Sequence, residues 1–199
     1  MKNKSFNKND YKIAVIGLGY IGATLAFEFS KKINTIGFDI SLSRVNQLNK
    51  NFDKNLEINF RDLRQKNKKK IFTNNKNELR DCNVFILTVP TPVNKKNEPD
   101  LKAIKHAVNI IAKFIKRKDI IVLESTVYPG LTEGIFRKYI EEKTKLKFNK
   151  DFFLGYSPER VNPGDKENNL KNVTKIVSGS DLRTTKILSN LYNLICNKI

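Results

Sequence analysis

This 199-residue chain is poor in cysteine, histidine and long apolar runs. Its two cysteines, Cys82 and Cys196, are too few and too far apart for a disulfide framework, and no pair or cluster has zinc-ligand spacing. The basic tail, residues 1–10, is rich in Lys and Asn with no apolar stretch behind it, so neither a signal peptide nor a membrane-spanning helix is expected. These absences fit a soluble protein of a reducing, cytoplasmic compartment. Acidic residues are also scarce: 20 Asp and Glu against 38 Lys and Arg leave a formal charge of +18. Such an excess invites a nucleic-acid reading. Lysine is nevertheless spread along the chain, gathering only at Lys68, Lys69 and Lys70, and comes with abundant Asn and Ile. A solvated surface with compositional drift is therefore the preferred reading.

What is present is alternation. No internal repeat or low-complexity linker interrupts it, and a chain of this size buries roughly 70% of its unfolded surface without staples. Apolar runs at Lys12–Ile16, Thr35–Phe38, Asn83–Val89, Asp119–Leu123 and Phe152–Gly155 read as strands, with short strands near Ile71 and at Lys175–Val177. Helical spacing appears over Tyr20–Lys32, after a capping Ser41, over Asp100–Arg117 and over Leu131–Glu142. Asp181 is placed to cap a last helix carrying Leu182, Leu188, Leu191 and Ile195. Residues 51–70 are polar and weakly helical. The lone His106 falls just off the apolar face of its helix, which predicts a solvent-facing side chain. Strands joined by helices predict an α/β, Rossmann-like, doubly wound parallel sheet with helices on both faces and a ligand crevice at the carboxyl strand ends.

Gly17, Gly19 and Gly22 spell Gly-x-Gly-x-x-Gly between the first strand and the first helix, with Leu18, Tyr20 and Ile21 interleaved. There the motif has physical work: Gly17 permits the tight turn, Gly19 lets backbone approach a pyrophosphate, and Gly22 lets helix and strand pack closely. The helix N-terminus presents amides to the anion. Asp39 ends the second strand, where a carboxylate accepts from both ribose hydroxyls and repels a 2′-phosphate. NAD is thus expected over NADP.

Four ordered blocks narrow the reading: Gly-Leu-Gly-Tyr-Ile-Gly at 17–22, Thr-Val-Pro-Thr-Pro at 88–92, Glu-Ser-Thr-Val-Tyr-Pro-Gly at 124–130, and Tyr-Ser-Pro-Glu-Arg-Val-Asn-Pro-Gly at 156–164. With them the chain resembles the N-terminal domain of the UDP-sugar 6-dehydrogenases, most closely the branch acting on UDP-N-acetylglucosamine or its epimers. The resemblance runs from about Tyr11 to the last residue and covers less than half of a full-length member. It implies a basic tail over 1–10, an NAD-binding domain over 11–178, and a terminal helix over 179–199 leading toward a central helix and a UDP-binding domain.

The same resemblance implies roles residue by residue. The glycine block and Asp39 would hold NAD, with Arg44 either against the adenine or a plain helix-surface charge. Val89, Thr91, Pro92, Ser125, Thr126 and Val127 would line the cofactor crevice, the Thr126 hydroxyl holding a water. Glu159 would do proton work, and Arg160, Val161 and Asn162 would contact the UDP-sugar beside it. Pro163 stands where the glucose-specific branch has a second acid, which argues against UDP-glucose.

Family members oxidise sugar C6 twice through a cysteine thioester, with the thiol in a Gly-Gly-x-Cys motif of the C-terminal domain. Neither Cys82 nor Cys196 has that motif, so this chain alone is expected to bind NAD without full turnover, needing a C-terminal half or a homodimer partner. Stopping inside its last helical pattern, the chain is also expected to expose that helix's apolar face. Competing readings are an NAD-binding subunit without catalysis, a nucleic-acid binder, and a relative of the hydroxyacid or 6-phosphogluconate dehydrogenases. The last gives the Ser-Pro-Glu-Arg block no role.

Overall fold

The computed structural model describes residues 6–58, 60, 71–93, 99–159 and 174–199. Lys68, Lys69 and Lys70 lie outside the described residues, as do Arg160, Val161, Asn162 and Pro163.

Seven strands form one sheet: β1 (Ile13–Ile16), β2 (Thr35–Phe38), β3 (Phe72–Thr73), β4 (Val84–Leu87), β5 (Ile120–Leu123), β6 (Phe153–Tyr156) and β7 (Ser178–Gly179). Their spatial order is β3-β2-β1-β4-β5-β6-β7. β1 to β6 run parallel, and β7 closes the edge antiparallel to β6. The helices are α1 (Tyr20–Ser30), α2 (Leu42–Asn49), α3 (Lys102–Ile111), α4 (Arg137–Thr144) and α5 (Leu182–Tyr192). This is the doubly wound order in which the chain reverses direction across the sheet between β1 and β4.

Alternation along each strand divides the core into two layers, because successive side chains point to opposite faces. Ile13, Val15, Val84, Ile86, Ile120 and Val122 belong to one cluster with Leu25, Phe29, Val45, Leu48, Leu188 and Leu191, from α1, α2 and α5. Ala14, Ile16, Phe85, Leu87, Ile121 and Leu123 belong to the other, with Ile104, Val108, Phe136 and Ile140 around α3 and α4. Every residue of β1, β4 and β5 is buried, as a sheet covered on both faces requires.

Several boundaries depart from the sequence pattern for identifiable reasons. α3 stops at Ile111 rather than running to Arg117, and Phe114 and Ile115 are still buried after it, so the apolar spacing continues in a turn that feeds β5. The stretch from Leu131 divides into a π-turn over Thr132–Phe136 and α4. Lys175–Val177 is not a strand; pairing waits until Ser178 and is antiparallel, so the sheet is not wholly parallel.

Asp181 accepts from the Thr184 amide at 2.6 Å and caps α5, and Ser41 accepts from the Arg44 amide at 3.3 Å and caps α2. The face of α5 is not open: Leu188, Leu191, Tyr192 and the following Ile195 are buried in the first core layer, and Leu182, counted by its spacing as inward, is exposed instead. His106 faces solvent. Among the described residues no helix is long and apolar enough to cross a membrane.

Candidate active site at the carboxyl edge of the sheet

The turn after β1 is built from backbone. Gly17 sits at φ +96°, a conformation that side chains with a Cβ rarely adopt, and its amide donates to the Phe38 carbonyl at 2.8 Å. A Cβ on Gly22 would collide with the Gly17 carbonyl oxygen and the Thr88 hydroxyl, whereas a Cβ on Gly19 would meet nothing within 4 Å. The two glycines therefore differ in purpose: Gly22 is bare for the helix to pack, and Gly19 faces open space. α1 starts at Gly19 with no side-chain cap. An uncapped helix start beside open space, flanked by a carboxylate, fits a dinucleotide pyrophosphate and ribose.

Asp39 is that carboxylate. Half-buried, it accepts from the Leu18 amide at 2.6 Å through Oδ2 and from the Ser41 amide at 2.8 Å through Oδ1. Each oxygen keeps a further acceptor direction for a ribose hydroxyl.

Arg44 is not a surface charge. Its residue is 6% exposed, with Nε donating to the Leu18 carbonyl at 2.7 Å and Nη1 lying 2.7 Å from Asp53 Oδ1. Asp53, which sequence reasoning passed over, also accepts from the Glu57 and Ile58 amides at 3.0 and 3.2 Å. The pair folds residues 53–58 against the glycine turn. The Asp53 signal was no more than a turn-forming residue in an Asn-rich stretch.

On the other side of the crevice, hydrogen bonds join two strand-end loops. The Thr91 hydroxyl donates to the Thr126 carbonyl at 2.7 Å, and the Ser125 hydroxyl to the Val89 carbonyl at 2.5 Å. The Thr88 hydroxyl donates to the Gly17 carbonyl at 2.7 Å, tying the β4 loop to the glycine turn. Thr126 and Pro92 are exposed, and Val127 half-buried, along this edge.

Glu159 ends the described part of the next loop. Its Oε2 lies 3.2 Å from Lys175 Nζ, and its side chain is 10% exposed. Lys175 also meets Glu124 Oε2 at 2.6 Å, and Glu124 Oε1 accepts from the Tyr192 hydroxyl at 2.5 Å. Burial raises the Glu124 carboxyl above its ordinary range, although Lys175 opposes it. Burial alone would lower Lys175, but the two carboxylates outweigh it and raise the ammonium, which stays charged. Tyr192 is raised well above its usual value by burial and then by Glu124. Sequence reasoning quoted Glu124 only as part of a block and took Lys175 for the start of a strand; no spacing announces that residues 124, 159, 175 and 192 meet. Neither cysteine is an activated nucleophile: burial pushes both thiols up to about 11.

A glycine turn, a carboxylate at the end of β2 bonded to that turn, and joined loops at a sheet switch point define a dinucleotide-binding domain of the Rossmann type. Residues 11–196 match the sequence profile of the NAD-binding domain of the UDP-glucose/GDP-mannose dehydrogenase family. The chain is 45% identical over 186 residues to UDP-N-acetyl-D-glucosamine 6-dehydrogenase of Pseudomonas aeruginosa, covering 94% of this chain and 44% of that protein. It is 42% identical to the enzyme of the same name from Salmonella typhi, over 96% of this chain and 44% of the relative. Among solved structures, UDP-D-ManNAc dehydrogenase of Pyrococcus horikoshii superposes with a TM-score of 0.83 at 29% identity, covering 94% of this chain and 45% of that one. The chain belongs to the UDP-glucose/GDP-mannose dehydrogenase family and forms its NAD-binding domain. It spans less than half the length of the curated relatives it matches.

Proposed function

We propose that this chain is the cofactor-binding part of a cytoplasmic 6-dehydrogenase acting on UDP-N-acetylglucosamine or an epimer, oxidising the sugar C6 hydroxyl to a uronic acid for polysaccharide precursors. The observation that carries the reading is the glycine turn at Gly17–Gly22 with Asp39 bonded to its Leu18 amide, in a chain 45% identical to a UDP-N-acetyl-D-glucosamine 6-dehydrogenase.

NAD, when bound, supplies the hydride acceptor for each of two oxidations. The turn amides and the start of α1 hold its pyrophosphate, and Asp39 takes the adenosine ribose. Arg44 acts behind that contact, fixing the Leu18 carbonyl and hence the turn. Val89, Thr91, Pro92, Ser125 and Val127 shape the nicotinamide side. Thr126 offers a hydroxyl to a water, and Glu159 takes a proton from it. Arg160, Val161 and Asn162 follow Glu159 directly and would meet the UDP-sugar. The nucleophilic thiol must come from chain beyond this domain or from a partner, since Cys82 and Cys196 are both buried with raised thiols.

Calorimetric titration of the purified chain with NAD and with NADP tests this. NAD is expected to bind at least about tenfold tighter, because one like-charge contact at Asp39 suffices for that ratio. Equal affinity for NADP, or no binding of either, overturns the cofactor reading. Incubation with NAD and UDP-N-acetylglucosamine should give no uronate; uronate made by this chain unaided would overturn the assignment of the thiol to another segment.

A further inference from the structure

The Glu124–Lys175–Glu159–Tyr192 cluster lies at the carboxyl edge of the sheet, and the roles assigned above use only Glu159. Its members come from the end of β5, the loop after β6, the segment before β7, and α5. An ammonium has three donors. Those of Lys175 find Glu124 Oε2 at 2.6 Å, Glu159 Oε2 at 3.2 Å and the Pro158 carbonyl at 3.5 Å. One side chain thus grips both the Glu159 carboxylate and the backbone just before it.

The two carboxylates are held unequally. Glu124 is 1% exposed, and both its oxygens are engaged, one by Lys175 and one by the Tyr192 hydroxyl. Glu159 has the longer contact and the more accessible side chain. One ammonium between two carboxylates leaves a net negative charge, so the cluster has room for a proton. The shorter, more buried bond anchors Lys175, and the longer one leaves Glu159 as the partner that can exchange. Among the described residues, Cys196 of the segment after α5 and Tyr20 of α1 are further titratable groups near the cluster. The Tyr20 phenol is raised by burial and then by the charges of Glu159 and Glu57.

We propose that Lys175 is a positioning residue for Glu159: clamped by Glu124, and through Glu124 by Tyr192 of α5, its ammonium fixes the Glu159 carboxylate at the crevice. That Glu159 does proton work rests on the function proposed above; that Lys175 sets its orientation rests on the contacts alone.

The test is carbon NMR of the full chain labelled at glutamate side-chain carboxyls, with the Glu159 resonance assigned by its loss in Glu159→Gln. Lys175→Met alone strands Glu124 buried without a counter-ion and endangers folding, so the informative variant is Lys175→Met with Glu124→Gln. There the titration midpoint of Glu159 is expected to lie about one unit or more above that in Glu124→Gln alone, as removal of an adjacent cation requires. Glu124→Gln alone should lower it, since the ammonium is no longer shared, and Lys175→Arg should restore most of the wild-type behaviour. A midpoint no higher in the folded double variant than in Glu124→Gln alone, or one raised by Glu124→Gln, overturns the proposal. Failure of the cofactor reading would show separately, as wild-type chain that does not bind NAD whatever its Glu159 titration.

Discussion

The two sides of the crevice are built from different materials. On the β1–α1–β2 side the working surface is backbone: the Gly17 turn, the uncapped start of α1, and one carboxylate whose partners are the Leu18 amide of the motif and the Ser41 amide two residues on. On the β5–β6–α5 side it is side-chain charge, with Glu124, Glu159, Lys175 and Tyr192 drawn from 69 residues of chain, 124 to 192. Backbone sites tolerate changes of side-chain chemistry and fail on volume. Charge clusters tolerate changes of volume better and fail when one partner is lost.

That contrast is broken most strongly at Gly22. Gly22→Ala puts a methyl group into the Gly17 carbonyl and the Thr88 hydroxyl, and because a backbone atom cannot swing aside the expected loss is about 3 kcal/mol, read by urea denaturation. NAD binding should fall with it. Gly19→Ala, with nothing within 4 Å, is expected to leave stability close to wild type while weakening NAD binding through the pyrophosphate approach. Equal destabilisation by the two substitutions would show that the turn is not divided into a packing glycine and a ligand glycine.

The carboxyls at the two ends of β5 sharpen the charged side of the comparison. Asp119 is buried, held by the Lys116 amide at 2.7 Å and in no ion pair among the described residues; burial raises its carboxyl to about 6, with the Lys116 amide and charge opposing. Glu124 has Lys175. A carboxyl raised in the folded state favours folding fully below its unfolded value of 3.8, and that contribution is lost as pH rises through about 6. Asp119→Asn is therefore expected to gain on wild type between pH 4 and pH 7, by up to about 3 kcal/mol. Glu124 is also raised by burial, but Glu124→Gln should destabilise at pH 7 because it takes the 2.6 Å partner from the buried Lys175 ammonium. Thermal melts at the two pH values check both signs, and the same sign for both would erase the distinction between an unpaired and a paired buried carboxyl.

Tyr192→Phe deletes the hydroxyl that donates to Glu124, a bond to a charged acceptor, and is expected to cost about 2 kcal/mol. A loss below about 0.5 kcal/mol would mean that α5 is held by packing alone. Smallest is Thr91→Val, which removes one partly exposed bond between the β4 and β5 loops and should cost under about 1 kcal/mol with a modest weakening of NAD binding.

The glycine turn was legible because all its constraints are local: the strand, the three glycines and the helix follow one another in 18 residues, 13 to 30, and Asp39 is fixed by the next strand end. The strands were legible for a similar reason, since burial on both faces leaves an uninterrupted apolar run that no other element requires. Arg44 was not. Its place one turn into α2 allows either a surface position or a buried one, and only the fold of residues 53–58 over it supplies Asp53 and decides burial. Lys175 misled for the same physical reason. Beside Ile176 and Val177 it looks like the first residue of a strand, but a charge with two carboxylates in reach turns inward and delays pairing to Ser178.

By itself the sequence determined the doubly wound architecture, the dinucleotide turn and the place of Asp39 at the second strand end, because periodicity and glycine spacing act over a few residues. Tertiary structure alone decided which charges share the interior. Burying an ion costs so much that its partner must be found wherever the fold brings one, and the distance along the chain between Glu124 and Lys175 carries no record of the 2.6 Å between them.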